Sequence, residues 1–204
     1  MRLEPVDAAR HATRLFDSAR GADAIWNHLA YGPFESQGLF TRWLEERAAS
    51  HDPLFYAIVD RASGDARGMA SLMRFAPADG VIEVGHIWLS PALQRTRQAT
   101  EAIFLLAAHA FDDLGNRRLE WKCNSLNVAS RRAAERFGFT YEGTFRQHMV
   151  VKGRNRDTAW FSITDGEWPA VRAAFIAWLS PDNFDTAGGQ RRGLAEIRAA
   201  LGRE

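Results

Sequence analysis

From Leu54 the hydrophobic period of the chain shortens from that of a helix to that of a strand, and it holds there for three runs. These are LFYAIVD (54–60), RGMASLMRF (67–75) and VIEVGHIWL (81–89), joined by the turn tetrads ASGD and PADG. Connections that short leave no room for a crossover helix, so the runs read as an antiparallel meander. Next comes a helix after Arg97, with Ile103, Leu106, Ala107, Ala110 and Leu114 on one stripe and Gly115 as its C′ residue. RRLEWKC is a further strand. NVASRRAAERFGF is a second helix, opened by Asn127 and closed by Gly138, with Phe139 placed for a Schellman contact. TYEGTFRQHMVV and TAWFSIT form a hairpin around a longer turn, KGRNRD, and WPAVRAAFIAWL is a helix with Pro169 near its start. The first fifty residues read as helical, with Ser36 as an N-cap and YGPF as a turn between helices. This order predicts an α+β chain with a mixed sheet, not a doubly wound one.

At 204 residues the chain suggests one domain over 1–180, followed by a polar tail (181–204) with a short amphipathic helix, GLAEIRAALG. A net charge of +1 gives no global attraction to nucleic acid or to a membrane surface, although SRRAAERF and KGRNR are locally basic. Cys123 is the single cysteine and cannot form an internal disulfide. No apolar run suits a signal peptide or a membrane span, so a cytoplasmic location is expected. The six histidines are scattered without ligand spacing, so no metal is expected.

Chemistry concentrates in LSPALQRTRQATEAIFLL (89–106), where a strand ends in a polar loop that opens a helix. Helix starts of this kind hold phosphates on their free N–H groups, usually with glycines that let the backbone approach. Here Arg95 and Arg97 stand where small residues would be wanted. They give up freedom to adopt positive φ and add guanidinium groups suited to phosphate oxygens. They can equally be solvated loop charges, or obstruct a ligand.

Together with LEWKCNSLNVASRRAAERFGF and the later EG.FRQHMV.KGR..D, this segment resembles the GNAT N-acetyltransferases. The resemblance is closest to the branch of Rim-type ribosomal-protein N-terminal acetyltransferases, and it covers residues 1–180 by element order. It implies a GNAT fold that binds acetyl-CoA between two splayed strands. The pantetheine would lie along Ile87, Trp88 and Leu89, and the pyrophosphate on Gln94, Arg95, Thr96, Arg97, Gln98 and Ala99. It gives Asn127 a contact to the pantetheine in addition to its cap. Ser130 matches a serine proposed to protonate the departing thiolate, and the tyrosine that more often does so is replaced by Ala134.

The acceptor would be a primary amine, on a small molecule or a peptide N-terminus such as a ribosomal protein's. A homodimer is possible, and a catalytically weak CoA-binding sensor is the alternative. Amine attack needs a base. Glu83 has the spacing of the base in some GNAT enzymes. His148 follows it, beside Met149, which stands where Rim-type enzymes have a glutamate. His86 comes last, expected on the opposite pleat face from Glu83. Each can instead be structural. Tyr31 and Phe34 are expected along the acceptor wall.

Overall fold

A computed structural model describes residues 1–202. A short strand, β1 (Arg2–Pro5), precedes α1 (Ala8–Ala19) and α2 (Gln37–Ala48). The three strand-period runs follow as β2 (Leu54–Val59), β3 (Ala66–Ala76) and β4 (Val81–Leu89). Then come α3 (Arg97–Ala108), β5 (Arg118–Asn124), α4 (Val128–Phe137), β6 (Thr140–Val151), β7 (Arg154–Thr164), α5 (Trp168–Leu179) and α6 (Leu194–Leu201). The seven strands make one sheet in the order β1-β2-β3-β4-β5-β7-β6. Only β4 and β5 run parallel, across the strand–helix–strand step through α3. The expected α+β architecture is what the chain adopts. No helix among the described residues is long and apolar enough to cross a membrane.

Alternation along the strands feeds two cores. Ala57, Val59, Met69 and Trp88 point to one face, against Leu15, Phe40 and Leu44 of α1 and α2. Ile58, Ala70, Leu72, Ile82 and Val84 point to the other, against Ile103 and Leu106 of α3, Phe137 of α4 and Phe175 of α5. Each fully buried aliphatic or aromatic side chain is worth roughly 1.5–3 kcal/mol relative to exposure. Residues 181–202 pack back on the second layer, where Leu194 and Ile197 are buried. Arg198 donates to the carbonyls of Arg136 and Glu135 and so caps the C-terminal end of α4.

Three local expectations change. Residues 2–5 are extended, too few to show a period, and are fixed by pairing with β2. Leu114 leaves the α3 stripe because the helix continues into a π-turn over 109–113, with the Leu114 N–H donating to the His109 carbonyl. The extra residue per turn rotates Leu114 outward, where it is half exposed, and Phe111 stacks on Trp168 instead. The β6–β7 turn is shorter than KGRNRD: Lys152 and Gly153 alone make it, both at positive φ, and Arg154 already pairs with Val151.

Candidate active site

β4 and β5 pair from Val81/Arg118 to Val84/Trp121 and then part. β5 keeps its other partner, with Lys122, Cys123 and Asn124 opposite Trp160, Ala159 and Thr158 of β7. β4 bends away at a bulge against β3, where Ser71 faces Gly85, Met69 faces Trp88, and His86 sits at φ 51°. Gly85 lets the Met73 side chain pack close beside the bulge, since a Cβ there would lie 2.6 Å from Met73 Sδ. The parted strands open a cavity of about 1230 Å³ that passes through the sheet. Drug-sized ligands fill roughly 300–1000 Å³, so this volume suits a larger ligand, or two.

One end lies at the starts of α3 and α4. Thr96 caps α3 by accepting from the Ala99 N–H at 3.1 Å, and its hydroxyl donates to the Leu93 carbonyl at 2.7 Å. Arg95 takes the left-handed conformation (φ 61°) despite its side chain, so the backbone keeps the shape a glycine would give it. Gln94, Arg95, Thr96 and Ala99 line the cavity, with Arg132 and Arg136 from α4. Arg97 and Gln98 do not line it. The Arg97 guanidinium donates to the Leu179 carbonyl and lies 4.6 Å from the Phe184 ring centroid, so it braces the end of α5. Ile87, Trp88 and Leu89 follow the bulge along the cavity wall; the Trp88 ring is buried against Trp26, and the Leu89 carbonyl accepts from Gln94 Nε2 at 3.0 Å.

At the waist, Asn127 caps α4 through the Ser130 N–H at 3.1 Å. Trp121 Nε1 donates to Ser130 Oγ at 3.0 Å. An indole can only donate, so the serine oxygen accepts and its own proton is left to point elsewhere. Cys123 also lines the waist, its thiol pushed up by burial.

Past the waist, on the α1/α2 side, stand Glu83, His86 and His148. Glu83 is buried, with Lys122 Nζ at 3.0 Å and Arg74 Nε at 3.1 Å from Oε2. Lys122 and Arg74 both pair with Oε2, and the carboxylate still has lone pairs to offer. Burial pushes its carboxyl above the usual range, and the cations oppose that rise. Strict alternation along β4 predicts His86 on the face opposite Glu83. The bulge resets the pleat by one residue, and both line the cavity. His86 stacks on Tyr31, with Nδ1 3.3 Å from the Tyr31 hydroxyl, and lies against Phe55. Burial, with help from Arg47, Arg156 and Arg74, pushes it down to about 4, so it is neutral and weakly basic at pH 7. His148 Nδ1 is 3.0 Å from Thr158 Oγ1.

Tyr31 and Phe34 do not line the cavity. They belong to an aromatic cluster with Trp26 and Trp43 that backs the wall and holds His86. The wall is the segment just before them, including Ile25, His28 and Leu29. It is tied to the β6–β7 turn by Lys152 Nζ, which donates to the carbonyls of Trp26 and Gly32. Sequence reasoning also missed Arg74, Lys122, Arg132, Arg136 and Arg156. The i, i+4 pair Arg132/Arg136, on the helix opened by Asn127, was a usable signal. The others depend on which strands become neighbours. Among the described residues, no three His, Cys, Asp or Glu side chains gather as a metal site needs.

The family model for the acetyltransferase (GNAT) domain matches residues 1–140. A crystal structure of a GCN5-related N-acetyltransferase from Brucella melitensis is 52% identical, with a TM-score of 0.95 over 97% of this chain and 90% of that one. A GNAT-family structure from Chromobacterium violaceum ATCC 12472 is 51% identical, with a TM-score of 0.77 over 82% of this chain and 84% of that one. "Putative ribosomal N-acetyltransferase YdaF" of Bacillus subtilis (strain 168) is 26% identical over 170 residues, covering 81% of this chain and 90% of that protein.

Proposed function

The chain belongs to the GNAT acetyltransferases, in a branch resembling the Rim-type enzymes, and from that premise we propose how its cavity moves an acetyl group from acetyl-CoA to a primary amine. GNAT enzymes use acetyl-CoA in general, and the cavity fits it. One end is a helix start flanked by Arg95, Arg132 and Arg136, which suits phosphates, and the volume leaves room for an acceptor beyond. The loop 94–99 holds the pyrophosphate, and the open edge of β4 at Ile87–Leu89 offers backbone groups to the pantetheine arm. Acetyl-CoA supplies the activated thioester.

The residues of the waist then divide the work. Backbone N–H groups at the parted strand polarise the carbonyl, and Ser130 turns its free proton toward the departing sulfur. Glu83 takes the proton from the attacking amine, directly or through a water. His148 is the second choice, and His86 is too weakly basic for the task. The acceptor enters from the side of α1 and α2, along Ile25, His28 and Leu29. YdaF is named for ribosomal acetylation, and a peptide N-terminus is the acceptor that name favours for this chain.

The observation that carries this reading is the parting of β4 and β5 after Val84 and Trp121, which brings the helix start, Ser130 and Glu83 to one cavity. The test is thiol release from acetyl-CoA with a panel of small amines and peptide N-termini. Acetyl-CoA-dependent release with at least one acceptor is expected. Tight acetyl-CoA binding with no release from any amine would leave a CoA-binding module in its place.

A further inference from the structure

Charges in the cavity do not balance. Its lining holds six Lys or Arg residues and one carboxylate, Glu83. Arg95, Arg132 and Arg136 stand at the end proposed for phosphates. Arg74 and Lys122 share Glu83, and Lys122 also holds Glu120 at 2.7 Å. Arg156, on β7 opposite Met149, is the cation left over. Its Nε is buried without a hydrogen-bond partner, and among the described residues no carboxylate lies within ion-pair distance of it. The adjoining Asp157 carboxylate is occupied by the Gln147 N–H at 2.8 Å and Asn155 Nδ2 at 2.9 Å. Arg156 as a whole is half-buried, and a guanidinium partly withdrawn from water is stabilised by an anion that meets it.

Arg156 is placed at the acceptor end, where His86, His148, Met149 and Val151 line the same space. Its charge is felt there: Arg156 helps push His28 down, next after burial, and His86 down, after burial and Arg47. We infer that Arg156 anchors a carboxylate carried by the acceptor close to the amine that is acetylated. The acceptor class is therefore an amino carboxylate, either a free amino acid or an acidic residue beside a peptide N-terminus. The inference rests on the acetyl-transfer reading and narrows its substrate.

Matched acceptors test it: α-, β- and γ-amino carboxylates against their primary amides, and short peptides with Asp against Asn at the second position. Each is assayed with the wild type, Arg156→Gln and Arg156→Lys. A charged hydrogen-bonded pair corresponds to a preference of about tenfold or more in kcat/KM for the carboxylate of a matched pair. That ratio should collapse toward one in Arg156→Gln and be partly kept in Arg156→Lys. Whichever matched set shows it distinguishes the free amino acid from the peptide. Melting temperature and the shift induced by acetyl-CoA check that each variant is folded and loaded.

An arginine that merely lowers the amine's proton affinity acts on both members of a pair alike. An unchanged ratio in Arg156→Gln, or no preference in the wild type, would therefore overturn the inference. Should no amine be acetylated, the acetyl-transfer reading fails separately. The inference is then decided by whether the carboxylates raise the melting temperature more than their amides in the wild type and not in Arg156→Gln.

Discussion

Lowering the pH should destabilise this protein through His86. The ring is wedged between Tyr31 and Phe55, and among the described residues the Tyr31 hydroxyl is the one side-chain group within hydrogen-bond reach of it. Burial, and then the fields of Arg47, Arg156 and Arg74, push its pKa from 6.5 to about 4. At 1.36 kcal/mol per pH unit, that difference is roughly 3 kcal/mol. The sign follows from which state binds the proton. Below pH 6.5 the unfolded chain protonates this histidine and the folded chain does not, so stability is present above 6.5 and lost as pH falls toward 4. Urea unfolding of the wild type and His86→Gln from pH 7.5 to pH 4 isolates the effect, because the other titrating groups are common to both. His86→Gln gives up packing and starts lower at pH 7.5, but its deficit should shrink by roughly 3 kcal/mol by pH 4. A deficit that stays constant across that range would mean that His86 titrates as an exposed histidine does, and the burial argument would be wrong.

Arg95→Glu should weaken acetyl-CoA binding at least tenfold, since a like charge would face the phosphates. Arg97→Glu should instead lower the melting temperature with little change in affinity, because its guanidinium braces Leu179 and Phe184; isothermal titration and thermal unfolding separate the two. Ser130→Ala should lower single-turnover acetyl transfer by up to about a hundredfold while sparing acetyl-CoA affinity, and should cost about 1 kcal/mol of stability through the orphaned Trp121 indole. Arg118 grips Glu142 at 2.6 and 2.5 Å, and Ser162 adds a third bond, which together hold that carboxyl at about 2. The pair is partly exposed, so Glu142→Gln should cost only about 1 kcal/mol at pH 7; in denaturant titrations that difference should vanish as pH falls from 4.5 toward 2.

What could be read in the sequence is what is decided locally. Asn127, Gly138 and Phe139 announce both ends of α4 within the helix itself, and the structure closes it through the bonds expected: Ser130 N–H to the Asn127 side chain and Phe139 N–H to the Ala134 carbonyl. The meander was legible because alternation and turn residues agree over 54–89. What was not legible depends on distant partners. Arg97 turns from the cavity because Leu179 and Phe184 wait for it more than eighty residues later in the chain. His86 changes face because β4 parts from β5 and bulges against β3, which alternation along one strand cannot show. Tyr31 reads as a wall residue from its position, yet stacking against Trp43 and His86 sets it behind the wall.

The parting of β4 and β5 is the claim on which the rest depends, and a crystal structure with acetyl-CoA tests it most directly. The expected result is the pantetheine arm between Ile87–Leu89 and the start of α4, the pyrophosphate on the loop from Gln94 to Ala99, and the thioester sulfur within hydrogen-bond reach of Ser130. Acetyl-CoA bound elsewhere, or absent from that cavity at saturating concentration, would contradict the account.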